Sequence, residues 1–209
     1  MGKKLESSFK NMLIVLFVVT LVASAAVGYV QTLTAGPIQK AKEEKQQNAI
    51  KEVIPGEFDN NPVEEIRKIE KNGGILEVYP AKKNGAVIGI AVKSFTNNGF
   101  GGNIAIMVGF YPDGKLFNYS VLEAKETPGL GSKLDFWFKA GQKGSIQGYY
   151  PKEQPLTVSK DGGKIDAITA ATISSRAFLE AVNLAASVLD SDIQSAKDNE
   201  LKQDTILKE

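Results

Sequence analysis

A chain of 209 residues with 25 basic and 24 acidic side chains, a net charge of +1, and neither cysteine nor histidine is bounded as much by what it lacks as by its size. Without those two residues, iron–sulfur clusters, the common haem attachments, the usual zinc sites, disulfide scaffolds and Ser-His or Cys-His catalysis are excluded. Near-neutrality offers no basic footprint for nucleic acid, and 43% apolar residues with 20 glycines describe a turn-rich globular chain.

Residues 1–11 hold Lys3, Lys4 and Lys10 and precede residues 12–30, nineteen positions where only Thr20, Ser24 and Gly28 interrupt apolar side chains. That length and composition predict one transmembrane helix. A cleaved signal peptide, processed after Ala23-Ser24-Ala25, is the alternative. The anchor is preferred because hydrophobicity continues through Val27, Tyr29 and Val30. The lysines before the span place the N-terminus in the cytoplasm and everything after Gln31 outside.

Residues 31–56 read as a linker and a solvated stalk helix. The stalk covers residues 38–53, a charged, glutamine-rich stretch that ends at Ile54-Pro55-Gly56. Its sparse apolar positions, Ala41, Ala49 and Val53, do not keep a coiled-coil heptad. A domain over residues 57–190 follows, beginning with a short helix expected at 62–70. Residues 75–81 and 86–95 flank Asn84-Gly85, the strongest hairpin signal in the chain. Residues 103–110 and 115–124 repeat the pattern around Asp113-Gly114, giving four antiparallel strands. A helical segment is expected at 134–140 and a further strand pair at 156–159 and 164–168. Residues 174–189 form an amphipathic helix with Phe178, Leu179, Val182, Ala186 and Leu189 on one side. The class is α+β, an antiparallel sheet with flanking helices, and residues 191–209 form a polar tail.

Three segments could carry chemistry. Gly99-Phe100-Gly101-Gly102, taken alone, is a turn that needs glycine backbone. Glu126-Thr127-Pro128-Gly129-Leu130-Gly131 is a tight turn whose bare backbone would let a flat ligand approach, with Leu130 packing on it and Thr127 offering a hydroxyl. The run from Asp166 through Thr169-Ala170-Ala171-Thr172 to Ser174 and Ser175 leads into the amphipathic helix. There, free N–H groups and the helix dipole favour a phosphate. Ordinary capping by Thr172 or Ser174 would also explain the hydroxyls, though not the small residues ahead of them.

This last run resembles the flavinylation motif of the FMN-binding domain shared by the G subunit of Rnf complexes and the C subunit of sodium-pumping NADH:quinone reductases. In that family an aspartate precedes a Ser/Thr-Gly-Ala-Thr run whose last threonine carries FMN through a phosphoester. The resemblance implies Thr172 as the attachment residue, Asp166 as the motif aspartate and Thr169 as the first hydroxyl. Ala170 and Ala171 complete the run, with Ala170 standing where glycine is usual. The segments at 99–102 and 126–131 resemble the family in the same order, which adds Glu126, Thr127, Gly129, Leu130 and Gly131 to the expected site, beside Ser174.

The resemblance further implies covalent FMN as the cofactor, a separate FAD-dependent, magnesium-requiring flavin transferase for maturation, and other membrane subunits as partners. It implies an electron carrier with no catalytic residue or metal site of its own. Leu130, and Trp137 or Phe100, would cover the flavin ring; the side-chain type of Trp137 equally fits the core. The chain's length sits nearer the Rnf protein than its sodium-pump relative. A cofactor-free membrane-anchored adaptor and a membrane-tethered hydrolase are the other classes, the hydrolase being weaker for want of a nucleophile–base pair.

Overall fold

The structure, a computed structural model, describes residues 8–189. Lys3, Lys4 and the expected polar tail at 191–209 lie outside the described residues. The chain divides into two compact units at Lys45/Gln46. α1 (Phe9–Val53) contributes to both and continues through Gly36 and Pro37, so no break separates the apolar segment from the stalk. Pro37 has no N–H to give to the helical ladder.

In the first unit, an apolar window long enough to cross a membrane has none of its surface buried. Nineteen helical residues rise about 28 Å, close to the hydrocarbon thickness of a bilayer. The threonine hydroxyls in and just beyond this stretch are satisfied within the helix: Thr20 donates to the Leu16 carbonyl at 2.9 Å and Thr34 to that of Val30 at 2.9 Å. Apolar surroundings demand that internal satisfaction.

The second unit is built on a five-stranded antiparallel meander, β1 (Arg67–Lys71), β2 (Gly74–Lys83), β3 (Ala86–Gly99), β4 (Gly102–Phe110) and β5 (Leu116–Ala124), in that order across the sheet. Asn84-Gly85 makes the β2–β3 turn with both residues at positive φ, as a two-residue hairpin requires. β1 corrects the helix expected at 62–70. It is tied to β2 by a second turn of the same kind, Asn72-Gly73, with φ of 52° and 73°.

Both faces of the sheet are covered. On one, Leu76, Val78, Ile90, Val92, Ile106 and Val108 pack toward α3 (Thr172–Ala186) and the segment between β5 and α3. On the other, Tyr79, Ala81, Ala91 and Met107 meet Ala49, Ile50, Val53 and Ile54. The last turns of the stalk are therefore buried rather than solvated. Gly109 and Gly89 permit this, because a Cβ at Gly109 would run into the Val53 carbonyl and one at Gly89 would lie 2.7 Å from Pro55. Burial of both faces gives alternate residues along one strand to opposite cores.

α2 (Leu134–Trp137) is shorter than the 134–140 segment expected, with Leu134 and Phe138 in the core. Phe138 stacks on Phe178 at 4.6 Å between ring centroids, and Tyr119 meets the same ring edge-on at 4.7 Å. Among the described residues, 156–168 holds no strand pair. Val158 and Ile165 make one parallel bridge around a 3₁₀ turn at Ser159–Asp161. This irregular segment is held to α3 instead: the Asn183 side chain accepts from Leu156 N–H at 2.8 Å and donates to the Leu156 carbonyl at 2.9 Å.

Candidate functional site

The three segments singled out in the sequence meet at the N-terminus of α3. Phe100, Thr127, Leu130 and Gly131 face Ala170, Ala171, Thr172, Ile173 and Ser174 around an open cleft of about 330 Å³. That volume is at the lower end of small-molecule sites. Phe100, Leu130 and Ile173 are exposed at the cleft, giving it apolar surfaces.

Glu126 joins the segments from beneath. The residue is 8% exposed, and its carboxylate accepts the Gly101 N–H on Oε1 at 3.1 Å and the Ser174 hydroxyl on Oε2 at 2.6 Å. One side chain thus ties the β3–β4 connection and the first turn of α3 to the turn after β5. The glycines make room for it. A Cβ on Gly131 would lie 2.6 Å from Glu126 Oε2 and 2.7 Å from Ser174 Oγ, and one on Gly99 would lie 2.7 Å from Glu126 Oε1. A Cβ on Gly101 would collide with the Lys125 carbonyl. Gly129 serves differently, as a positive-φ position of the turn with open space around it. Its N–H donates to Ser132 Oγ at 2.9 Å.

The helix begins at Thr172 without a side-chain cap, so capping does not account for the hydroxyls. The first helical bond runs from Ser175 N–H to the Ala171 carbonyl at 3.0 Å. The N–H groups of Thr172, Ile173 and Ser174 therefore have no acceptor in the helix. Ser174 is committed to Glu126. Ser175 donates to the Ala171 carbonyl at 2.9 Å and accepts from Ile168 N–H at 3.0 Å, which fixes the loop entering the helix. Thr172 is left with its hydroxyl partly exposed, accepting from Lys160 Nζ at 3.2 Å.

Ala170 has φ of 64°, a left-handed conformation that costs a residue with a Cβ about 1–2 kcal/mol. Asp166 and Thr169 are exposed and do not line the cleft. The Asp166 carbonyl accepts Trp137 Nε1–H at 2.8 Å, and its carboxylate accepts weakly from Ser159 Oγ at 3.5 Å. Trp137 packs against the core and is not at the cleft, so of the aromatic candidates Phe100 is the one beside Thr172.

Lys160 and the pair that holds it carry no signal in the sequence. Arg176, one turn into α3, grips Asp161 through two bonds, Nε to Oδ2 at 2.7 Å and Nη2 to Oδ1 at 2.6 Å. The Arg176 hydrogen bond keeps the Asp161 carboxyl below the usual carboxylate range. These residues lie 12 to 15 positions apart in exposed segments, with no periodicity to link them.

A family model described as the FMN-binding domain matches residues 99–187, from the glycine-rich connection to the end of α3. The chain is 32% identical to the G subunit of the Na(+)-translocating ferredoxin:NAD(+) oxidoreductase complex of Acetobacterium woodii, over 84% of this chain and 88% of that protein. It is 31% identical to the G subunit of the ion-translocating oxidoreductase complex of Shewanella piezotolerans, over 86% and 88%. With the corresponding protein of Haemophilus influenzae the identity is 34%, over 75% and 78%.

Proposed function

We propose, from the fact that the chain belongs to the G-subunit family of Rnf-type ion-translocating oxidoreductase complexes, that it carries FMN esterified to Thr172 and passes electrons within such a complex. The observation that carries this reading is the cleft. It sets a partly exposed threonine hydroxyl beside unpaired helix N–H groups and exposed apolar side chains.

The residues fit the group. A phosphoryl on Thr172 Oγ1 would lie at a helix N-terminus, where the backbone N–H groups and the dipole offset its charge. Ala170 and Ala171 leave space beside it, while Phe100, Leu130 and Ile173 offer apolar surface to a flat ring system. Glu126 bonds to both cleft walls and does not itself line the cleft, so it positions the walls rather than touching a ligand. When bound, FMN supplies the redox chemistry that this histidine- and cysteine-free chain lacks. The open, small cleft seats a ligand while leaving much of it uncovered, which suits exchange of electrons with a neighbouring protein of the complex.

A threonine hydroxyl is a weak nucleophile at neutral pH, and attachment is assigned to a separate magnesium-dependent flavin transferase. Thr172 Oγ1 bonds to the FMN-side phosphorus of FAD as the bond between the two phosphates breaks. AMP leaves, and the hydroxyl proton passes to a base on the transferase. The apolar part of α1 anchors the chain in the inner membrane, and the positive-inside reading puts the domain in the periplasm.

The test is coexpression of the full-length chain with a flavin transferase, followed by denaturing electrophoresis. Wild-type protein keeps a fluorescent flavin band after denaturation and washing, and Thr172→Ala does not. A dark wild-type band beside a labelled control carrier would remove the proposal.

A further inference from the structure

We infer that Lys160 is a positioning residue for the phosphoryl group at Thr172, and that the Asp161–Arg176 pair is the clamp that presents it; this rests on the reading of Thr172 above. Lys160 sits in the 3₁₀ turn Ser159–Asp161, and its Nζ donates to Thr172 Oγ1 at 3.2 Å. A lysine ammonium has three donors and no acceptor. A contact to the hydroxyl oxygen therefore leaves two donors for the anionic oxygens of a phosphoryl group bonded to that atom. Among the described residues Lys160 makes no ion pair within 4 Å; the adjacent Asp161 feels its charge but is hydrogen-bonded to Arg176, at 2.6 and 2.7 Å.

The geometry explains why the lysine is there at all. Residues 156–168 hold little regular structure, so their position depends on ties to α3. Asn183 anchors one end through Leu156. Arg176 anchors the turn itself, four residues along the helix from Thr172. Residues four apart lie on the same face of a helix, so the clamp brings the neighbour of Asp161 to the threonine. Helix N–H groups supply fixed partial charge at the phosphoryl position. Lys160 adds a full charge from outside the helix, stabilising the negative charge on the phosphoryl oxygens as AMP departs.

The lysine is exposed, so solvent and salt weaken its effect. Its expected contribution is to the rate of labelling, not to whether labelling is possible. The experiment compares full-length wild-type, Lys160→Gln and Lys160→Arg chains in detergent, incubated with transferase, FAD and magnesium, with covalent FMN followed by intact mass against time. At low salt Lys160→Gln is expected to label about tenfold more slowly, equivalent to about 1.36 kcal/mol of barrier. Lys160→Arg should restore most of the rate, and the gap between wild type and Lys160→Gln should narrow as salt rises. Equal rates for wild type and Lys160→Gln overturn the proposal. So does an arginine variant as slow as the glutamine one, which would assign the loss to structure rather than charge. Wild-type protein that takes no flavin, beside a control carrier that does, overturns the reading of Thr172 and the lysine's role with it.

Discussion

Two of the glycine-bearing connections in the meander look alike in sequence and differ in what the glycines do. At Asn84-Gly85, Gly85 adopts φ of 82° and has nothing within 4 Å of where a Cβ would sit, so the turn asks only for backbone freedom. At residues 99–102, Gly99 and Gly101 are instead pressed against neighbours, Gly99 against Glu126 Oε1 and Gly101 against the Lys125 carbonyl. The first kind closes a hairpin and serves the fold. The second brings two connections and a helix start close enough for a single buried carboxylate to join them, and the cleft lies above that joint. Gly102 shares the positive φ of Gly85, at 93°, so it is the close approach at Gly99 and Gly101 that sets this connection apart from the hairpin.

The comparison can be broken by substitution. Gly101→Ala should be the most damaging, destabilising by about 3 kcal/mol, because its methyl meets backbone that cannot swing aside. Gly85→Ala should lose only about 1–2 kcal/mol, the penalty for a left-handed residue with a Cβ. Denaturant unfolding of the full-length chain in detergent measures both, and equal losses would erase the distinction. Glu126→Ala comes next. It strands the buried Ser174 hydroxyl and the Gly101 N–H and should destabilise by about 2 kcal/mol, with slower flavin labelling as the cleft walls separate.

Smaller effects sharpen the picture. Ala170→Gly relieves the φ of 64° but adds unfolded-state entropy, so a net gain of about 0.5–1 kcal/mol is expected. Unchanged or reduced stability would mean that the left-handed conformation is not strained here. The exposed Asp161–Arg176 pair should matter least to stability. Its carboxyl is held below the ordinary value by Arg176, so its contribution is present above about pH 4 and is lost as pH falls through the lowered folded value. Asp161→Asn should remove that acid-limb dependence while leaving neutral-pH stability nearly unchanged.

Much of the fold is legible in the sequence because its signals are local. Asn84-Gly85 and Asp113-Gly114 locate two hairpins, and the spacing of Phe178, Leu179 and Val182 locates α3. β1 reads as helix because Arg67-Lys68-Ile69-Glu70-Lys71 is a mostly exposed edge strand of residues that also suit helices. Its Asn72-Gly73 turn carries the correct signal. The buried end of α1 reads as solvated because Ala49, Ile50 and Val53 form a stripe too short to stand out from a charged segment. At the site, the hydroxyl run and both glycine segments are visible in the sequence. Lys160, Asp161 and Arg176 are not, since only the folded chain brings exposed charges from separate segments together.

The central claim is that Thr172 bears the flavin, and the intact and peptide masses of the full-length chain coexpressed with a flavin transferase test it most directly. The account predicts one FMN ester per chain, located on the peptide containing Thr172 and absent from Thr172→Val. An unmodified wild-type mass beside a labelled control, or a Thr172→Val chain that keeps its flavin, would contradict it.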